Sequence, residues 1–367
     1  MKKNILFVIT GLGMGGAEVQ VCSLADCLAS RGHNILVLVL TGGAVALPNN
    51  LNVQIKLLEM EKNALGLMRG YFLARKIIQE FSPDVIHSHM VHANIFARLL
   101  RLSLKIPKLI STAHSKNEGG WLRIFCYRIT DSLADISTNV SIEAVEAFVK
   151  NMAVPKGRMI CVGNGTDLNK FTYNENSRNK IRLELCVNNE DKLLLAVGRL
   201  TEAKDYPNLL QSLTKVIVVN PNVILAIVGI GELKGDIERE VSRLGLKEHV
   251  KFLGLRRDVS EIMSAADVFV LSSAWEGSPL VVVEALACGR MVVATDCGGL
   301  KEVFGSSEYL VPTQDPAKLA EAINSAVGLD FEKQSIIIKS LREMVIKNYS
   351  LELVVDRWLE LYQGCKL

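Results

Sequence analysis

The 367 residues of the chain are too many for one hydrophobic core and enough for two domains. Hydrophobic residues make up 49% and charged residues 22%, an ordinary globular composition, and the net charge is +3. The apolar run at residues 5–9 is too short for a signal peptide, and no stretch approaches the roughly 18 apolar residues that a membrane-spanning helix needs. These two observations predict a cytoplasmic protein, and eight cysteines without any C-x-x-C pair argue against a disulfide framework or a zinc site.

Positive charge is concentrated in the first half of the chain. Residues 1–165 carry 18 lysines and arginines against 11 acidic residues, and residues 69–128 hold ten of these cations with only three acids. Large apolar residues are interleaved with them, a pattern that suits an anionic membrane surface which the protein touches without crossing. Alternatively, these residues form the solvent-facing sides of helices that cover a sheet. The cations expected to face a membrane are Arg98, Arg101, Lys105 and Lys108.

Short apolar strands alternate with longer helical patterns along the chain, as in parallel sheets that helices cover on both faces. This pattern predicts an α/β protein with a first domain at 1–165, a linker at 166–191, a second domain at 192–345, and a last helix within 346–367 that can pack on either domain. The predicted strands are residues 5–10, 35–40, 53–58, 84–89, 108–113, 135–139 and 159–162, and then 193–198, 223–229, 250–253, 268–271, 291–295 and 309–311.

Ligands of parallel sheets bind beyond the carboxyl ends of the strands, so the residues after each strand are the candidates for chemistry. Residues 11–18, after the first strand, contain G-x-G-x-x-G. A dinucleotide site would need an acidic residue at the end of the second strand, but residues 40–43 there are Leu, Thr, Gly and Gly. Two interpretations stay open: a tight turn that lets a helix pack closely, or bare N–H groups at a helix N-terminus that receive a diphosphate.

Arg199 and Lys204 follow the strand at 193–198 and lie five residues apart. Two cations at such a place can converge on one diphosphate and neutralise the charge that grows on it as it departs. Arginine suits bidentate recognition of phosphate, and lysine acts as a compact point charge. Both can equally be solvated cations of a loop.

A helix is expected to begin after the strand at 268–271, with Ser278 as its N-cap and Pro279 in its first position. Its N-terminal N–H groups then point toward the ligand. Glu276 precedes this helix, and Glu284 lies inside it on a stretch so apolar that the carboxylate must be buried and needs a partner. That partner is either a pair of sugar hydroxyls or a core arginine. The binding candidates at the helix start are Gly277, Ser278, Pro279, Leu280 and Val281.

Four of the six histidines cluster after the strands that end near residues 89 and 113, namely His87, His89, His92 and His114. A metal site is conceivable from them, but the chain has no Asp-x-Asp and no spaced Cys/His set, so we expect no metal. His114 is best placed to face the ligand. A histidine packed in the core is the alternative for each of the four.

Glu276 and Glu284, separated by seven residues, resemble the E-x₇-E motif of the retaining GT-B glycosyltransferases, and more narrowly that of glycosyltransferase family 4. The resemblance spans nearly the whole chain and follows the family's order of motifs. Residues 13–18 resemble its glycine loop, 84–89 its Asp-Val-Val-His-x-His strand, 164–167 with Phe171 its hinge motif, 197–205 its diphosphate loop, and 250–254 with 265–267 the stretch before E-x₇-E.

The resemblance implies a GT-B fold of two Rossmann-like, doubly wound parallel-sheet domains facing across a cleft, with the acceptor in the first and the nucleotide sugar in the second. It implies that Gly15 and Gly16 approach the donor diphosphate, which Arg199 and Lys204 clamp. Glu276 would hold the transferred sugar, Glu284 the ribose hydroxyls, and His114 a place beside the donor sugar. The base would lie against the loop after Gly254, and His89 and Asn164 complete the implied binding residues. The family often has Phe or Tyr where this chain has Ser278, so the sugar pocket is expected to differ slightly.

The activity that the resemblance implies is retaining transfer of a hexosyl or N-acetylhexosaminyl group from a nucleotide sugar, foremost a UDP-sugar. The acceptor would be a saccharide carried on undecaprenyl diphosphate, in O-antigen, capsule or exopolysaccharide synthesis. No cofactor and no nucleic acid is expected, and the enzyme would work at the inner face of the cell membrane. A GT-B nucleotide-sugar epimerase and a non-catalytic sugar-nucleotide binder remain alternatives, although the Glu276/Glu284 pair argues against the binder.

Overall fold

The structure, a computed structural model, describes residues 2–116, 119–305 and 307–364. The chain divides into two compact units, one formed by Met1–Gly165 with Leu351–Leu367 and the other by Thr166–Ser350. Each unit has one parallel sheet between layers of helices.

The sheet of the first unit has seven parallel strands in the order β3-β2-β1-β4-β5-β6-β7. These are β1 (Asn4–Ile9), β2 (Asn34–Val39), β3 (Gln54–Leu57), β4 (Val85–His89), β5 (Leu109–Ala113), β6 (Ile136–Asn139) and β7 (Met159–Cys161). The helices that follow them are α1 (Gly16–Ser30), α2 (Ala64–Phe81), α3 (Val91–Leu100), α4 (Trp121–Thr130) and α5 (Ile142–Lys150).

The second unit repeats this plan with six strands in the order β10-β9-β8-β11-β12-β13. These are β8 (Lys192–Val197), β9 (Val223–Val228), β10 (Val250–Gly254), β11 (Val268–Leu271), β12 (Met291–Thr295) and β13 (Leu310–Val311). Its helices are α6 (Glu175–Glu184), α7 (Tyr206–Val219), α8 (Lys234–Arg243), α9 (Val259–Ala265), α10 (Leu280–Ala287), α11 (Leu300–Phe304), α12 (Pro316–Gly328) and α13 (Phe331–Tyr349). The last helix, α14 (Leu351–Gln363), returns to the first unit.

Strand β1 shows why many of these strands are apolar at successive positions. Ile5, Phe7 and Ile9 face the layer that contains α1 and α14, whereas Leu6 and Val8 face the layer that contains α2 and α3. A strand whose two faces are both buried carries no alternation of apolar and polar residues. The thirteen predicted strands are confirmed, each within one residue of its predicted ends, and so is the prediction of two Rossmann-like parallel sheets.

The segment 166–191, which we expected to be a linker, lies in the second unit and contains α6. Asn174 caps this helix by accepting from the N–H of Ser177. Arg178 and Arg182 both pair with Asp267, at 2.6 and 3.1 Å, and so hold α6 against the chain before β11. The segment is polar because α6 exposes one side, which hid its helical pattern.

The start of α10 differs from its prediction by one residue. The N-cap is Pro279 rather than Ser278, because the ψ angle of Pro279 is 87° and lies outside the helical range. The N–H of Leu280 instead donates to the carbonyl oxygen of Ser278 at 3.0 Å, which closes a three-residue turn.

The prediction that Arg98 faces a membrane is wrong. Its side chain is fully buried under α4, pairs with Asp131 at 3.2 Å and lies 4.1 Å from the centre of the Tyr127 ring. Arg101 is also engaged, since it pairs with Asp135 at 2.8 Å. Lys105 is exposed and Lys108 is half-buried.

Helices α2 and α4 nevertheless expose many large apolar side chains. Cations stand among them, including Arg69 on α2 and Arg123 on α4, both exposed. No helix in the described parts of the chain is both long and apolar enough to cross a bilayer. We call the following exposed residues the α2–α4 apolar set: Leu65, Leu67, Met68, Phe72, Leu73, Trp121, Leu122, Phe125 and Ile129.

Candidate active site

The order of the strands predicts one ligand-binding place in each sheet. The order reverses between β1 and β4 in the first unit and between β8 and β11 in the second. Open parallel sheets bind ligands at such switch points, beyond the carboxyl ends of the strands. Apart from Asn164 and Gly254, the candidate residues follow these four strands or β5, the neighbour of β4, so each unit brings one group of them together.

In the second unit, Lys204 and Glu276 form an ion pair. The Nζ atom of Lys204 lies 2.5 Å from Oε1 of Glu276, and less than a fifth of either side chain is exposed. The hydroxyl of Ser273 donates to the same carboxylate oxygen at 2.7 Å. The hydroxyl of Ser272 donates to the backbone carbonyl of Lys204 at 2.8 Å. The loops after β8 and β11 are therefore joined both by this hydrogen bond and by the ion pair. The cation predicted for the diphosphate and the carboxylate predicted for the sugar are thus adjacent.

Arg199, the second predicted cation, is exposed and makes no ion pair within the parts of the chain that are described. It lies directly after Gly198, over which the Lys204 side chain runs. A Cβ atom on Gly198 would approach the Cε of Lys204 to 2.6 Å, so glycine is needed there for the lysine to reach Glu276. Arg199 is therefore available to an anion, whereas Lys204 is already neutralised.

Glu284 lies on α10, and only 8% of its surface is exposed. Its carboxylate has no hydrogen bond or ion pair to any described residue, which excludes a core arginine as its partner in this part of the structure. Burial raises the pKa of this carboxyl to about 7, and the positive charge of Lys170 opposes that rise only in part. A buried carboxylate without a partner is unfavourable, and ligand hydroxyls can supply the missing donors.

Sequence reasoning missed two residues that hold Glu276 in place, Ser273 and Gly298. Gly298 has a φ of +64°, and a Cβ atom on it would come within 2.6 Å of the Cβ of Glu276. Only glycine satisfies both that backbone angle and that close approach. Their places in the chain could have indicated both residues. Ser273 follows β11 and Gly298 follows β12, so both lie at the carboxyl edge of the sheet.

In the first unit, the glycine loop precedes α1. Gly15 is the N-cap, and no side chain caps the helix among the residues described. A Cβ atom on Gly15 would come within 2.5 Å of the Glu18 carboxylate, whereas Gly16 is exposed with open space where a side chain would project. An anion can therefore reach the backbone at Gly16 directly, and it reaches Gly15 only if the carboxylate of Glu18 turns away.

The histidines of the first unit separate into a cluster and one outlier. His87 and His89 on β4 are buried, and the Nδ1 of His89 lies 3.0 Å from the Nε2 of His114, which follows β5. Burial lowers the pKa of His87 and His89 well below the ordinary value and that of His114 to about 4, so all three rings are neutral near pH 7. His92 is exposed at the start of α3 and does not belong to the cluster.

Two further predicted residues lie at chain turns. Asn164 is buried beyond β7, one residue before the boundary of the first unit. Gly254 ends β10 with a φ of +64° and open space around it, so a flat ring can approach its backbone. Within the described residues, no group of three or more His, Cys, Asp or Glu side chains is arranged to hold a metal ion.

Two family models match the chain. The model of Glycosyltransferase Family 4 matches residues 14–170, and that of Glycosyl transferases group 1 matches residues 177–344. Together the two matches span most of both units.

The chain is also similar to individual glycosyltransferases and to solved structures. The chain is 27% identical to the UDP-Gal:alpha-D-GlcNAc-diphosphoundecaprenol alpha-1,3-galactosyltransferase of Escherichia coli, over 80% of this chain and 79% of that enzyme. It is 26% identical to the N-acetylgalactosamine-N,N'-diacetylbacillosaminyl-diphospho-undecaprenol 4-alpha-N-acetylgalactosaminyltransferase of Campylobacter jejuni, over 84% of this chain and 85% of that enzyme. Among solved structures, HepE of Anabaena in complex with UDP and glucose superposes with a TM-score of 0.85 at 21% identity, over 98% of this chain and 99% of that one. The last comparison bears on the fold alone.

Proposed function

Because the chain belongs to glycosyltransferase family 4 and is a hexosyltransferase with the GT-B fold, we propose that it is a retaining enzyme that uses a UDP-sugar. It transfers a hexosyl or N-acetylhexosaminyl group to a saccharide carried on undecaprenyl diphosphate, in O-antigen, capsule or exopolysaccharide synthesis. The acceptors for which the Escherichia coli and Campylobacter jejuni enzymes are named support this class of acceptor, and the UDP-Gal donor of the former supports a UDP-sugar as the donor.

The observation that supports the proposal is the buried carboxylate of Glu284. A carboxylate this deeply buried needs hydrogen-bond donors, and the described residues offer it none. Two neighbouring hydroxyls, such as those of a ribose, present two donors to the two carboxylate oxygens. Glu284 therefore binds the ribose of the donor, and the base lies against the backbone at Gly254.

The diphosphate of the donor is bound by Arg199 and Lys204. Arg199 has no competing ion pair in the described structure, and its planar guanidinium suits two phosphate oxygens. Lys204 is held by Glu276, whose other carboxylate oxygen accepts hydroxyls of the transferred sugar. The start of α10 adds N–H groups, so that the charge of the diphosphate is met without a metal ion.

Retention follows from the roles of the carboxylates. A double displacement needs a carboxylate nucleophile at the anomeric carbon, and an inverting reaction needs a base opposite the leaving group. Glu276 and Glu284 are occupied by sugar and ribose hydroxyls, and His114 lies beside the donor sugar as a neutral ring. The acceptor hydroxyl then attacks from the side of the leaving diphosphate, its oxygen bonds to the anomeric carbon, and a phosphate oxygen receives its proton.

The acceptor's lipid carrier requires contact with a membrane, and we propose that the α2–α4 apolar set provides it. The pKa of His92 is lowered by partial burial and then by Arg123 and Lys62, so cations near the starts of α2 and α4 lie close to the same residue. Apolar side chains with neighbouring cations suit an anionic bilayer surface, which this enzyme would meet at the inner face of the cell membrane.

The test measures thermal unfolding of the protein with UDP, GDP and ADP. A nucleotide that binds only the folded state at about 100 times its Kd stabilises it by about 2.7 kcal/mol. We expect the largest rise in melting temperature with UDP, a much smaller rise in Glu284→Gln, and a wild-type rise in the control Glu248→Gln, an exposed carboxylate of the same unit. A larger effect of GDP or ADP, or an unchanged UDP effect in Glu284→Gln, would contradict the assignment.

A further inference from the structure

Three histidines and the last helix form one connected cluster in the first unit. The Nδ1 of His89 lies 3.0 Å from the Nε2 of His114, and the His89 ring lies 4.1 Å from the His87 ring, centre to centre. The Nδ1 of His87 lies 2.8 Å from the hydroxyl of Tyr362, a buried residue of α14. The cluster therefore connects the C-terminal helix with the histidine assigned to the donor sugar.

We propose that His89 is a positioning residue for His114. Its hydrogen bond fixes the orientation and the tautomer of the His114 ring, and α14 holds His89 in place through His87 and Tyr362. This inference rests on the proposed function, in which His114 lies beside the donor sugar.

The ring of His89 cannot turn away from His114. It ends the buried strand β4, only 1% of its surface is exposed, and the ring of Phe7 lies 5.5 Å away on the neighbouring strand. Each of the two histidines is neutral, so each has one N–H and one unprotonated nitrogen. The bond between them uses one of each kind, so the tautomer of one ring determines that of the other.

Both ring nitrogens of His87 are within hydrogen-bond distance of a hydroxyl group. Its Nε2 lies 2.7 Å from the hydroxyl of Thr112, which lies 2.7 Å from the hydroxyl of Thr138 on the next strand. Trp358 of α14 also lies 4.4 Å from the His87 ring. The orientation of the His87 ring is thus fixed, and the ring supports one face of His89.

The two ring nitrogens of His89 distinguish a positioning role from core packing. The Nε2 of His89 is buried and has no hydrogen-bond partner among the described residues, an unfavourable state that a phenylalanine ring would avoid. What histidine adds at this position is its other nitrogen, which is bonded to His114. The geometry thus favours the bond rather than the ring shape as the function of His89.

The experiment compares His89→Phe, which keeps a ring without the bond, with His89→Asn, whose amide nitrogen is as many bonds from Cα as Nδ1. Long-range ¹H–¹⁵N NMR of the free protein reports the tautomer of His114, and steady-state kinetics separates kcat from the KM for the donor. We expect His89→Phe to alter the His114 tautomer and lower kcat by about 10- to 100-fold with the KM unchanged, because a small displacement of a group at the reacting centre has such effects. His89→Asn should recover most of the activity, and His33→Phe serves as the control.

Tyr362→Phe keeps the packing of α14 and removes only the bond to His87, so it tests the support from the last helix even where a variant of His89 fails to fold. It should change the His87 tautomer and lower kcat less than His89→Phe does. An unaltered His114 tautomer in His89→Phe, or equal kcat in the Phe and Asn variants, would overturn the proposal. The NMR measurement needs no substrate, so a failure of the proposed function is recognised separately, by an inactive wild-type protein.

Discussion

The ammonium nitrogen of Lys204 and the carboxylate of Glu276 lie 2.5 Å apart, in a pair that the solvent reaches only partly. Seventy-two residues separate them along the chain, and the loops that follow β8 and β11 bring them together. Because Lys204 is assigned to the diphosphate and Glu276 to the sugar, each group neutralises the other before the donor arrives. Donor binding must therefore compete with this pair for the lysine.

Glu276→Gln should separate nucleotide binding from transfer. It removes the charge that competes for Lys204 but keeps an oxygen for Ser273, so the affinity for UDP should rise about fivefold, or ~1 kcal/mol. Transfer should fall by about 100-fold or more, because the carboxylate that holds the sugar is lost. Calorimetric titration with UDP and initial rates with the UDP-sugar measure the two effects.

The control for this variant is Glu202→Gln, which removes an exposed negative charge from the same short turn as Lys204. It should leave the rate of transfer unchanged and raise UDP affinity less. Weaker binding of UDP to Glu276→Gln would show that Glu276 orients Lys204 toward the diphosphate instead of competing with it.

Glu284 makes the stability of the second unit depend on pH. Its pKa is raised from 4.5 to about 7 by burial, so the folded state binds a proton that the unfolded state releases between these values. Stability therefore falls as pH rises from about 4.5 to 7 and stays constant above that, with a loss of about 3 kcal/mol. Glu284→Gln should remove this loss and be more stable than the wild type at pH 8, but not at pH 4.5, in urea unfolding. Equal differences at the two pH values would contradict the raised pKa.

The strands could be predicted from the sequence because the two faces of each sheet are buried. That makes many of the strands continuous apolar runs, as Leu193 to Val197 shows. The pairing of Lys204 with Glu276 could not be predicted in this way. It depends on β8 and β11 being neighbours in the sheet, and strand order is set by the packing of distant segments.

The burial of Arg98, in contrast, could have been predicted from the sequence. Val91, Asn94 and Arg98 follow helical spacing on α3, and all three are buried. The prediction for residues 69–128 rested on their composition and not on this spacing, so it placed Arg98 on the surface. The α6 helix was missed for the opposite reason, since few of its residues are apolar.

Arg98→Met should destabilise the first unit by about 3 kcal/mol, because it leaves the buried carboxylate of Asp131 with less compensation. Arg101→Gln is the matched control. It breaks the ion pair between Arg101 and Asp135, two side chains that are a quarter to a third exposed. The free energy of unfolding should therefore fall by less than about 1 kcal/mol. Urea unfolding followed by the fluorescence of the buried Trp358 measures both variants. Similar losses in the two would contradict the assignment of Arg98 to the core.

Membrane contact should depend on exposed cations near the α2–α4 apolar set and not on Arg98. The triple variant of Lys62, Arg69 and Arg123 to Gln should sediment less with phosphatidylglycerol vesicles, since each cation near an anionic surface contributes about 1 kcal/mol. Binding of the wild type should weaken as salt is added. A triple variant of exposed lysines of the second unit, Lys247, Lys339 and Lys347, should bind as the wild type does. Equal losses in both triples would indicate attraction by net charge alone.

The anomeric configuration of the product tests the assignment of the carboxylates. If Glu276 and Glu284 bind hydroxyls and His114 is a neutral ring, no residue of the set can act as a nucleophile or as a base opposite the leaving group. The proton of the acceptor then passes to the departing diphosphate while Arg199 and Lys204 stabilise its charge. An α-linked UDP-sugar should give an α-glycoside, which the one-bond and three-bond NMR couplings of the anomeric proton identify. A β-glycoside would mean that one of these groups acts as a base, and combining the measurement with Glu276→Gln and His114→Gln would show which.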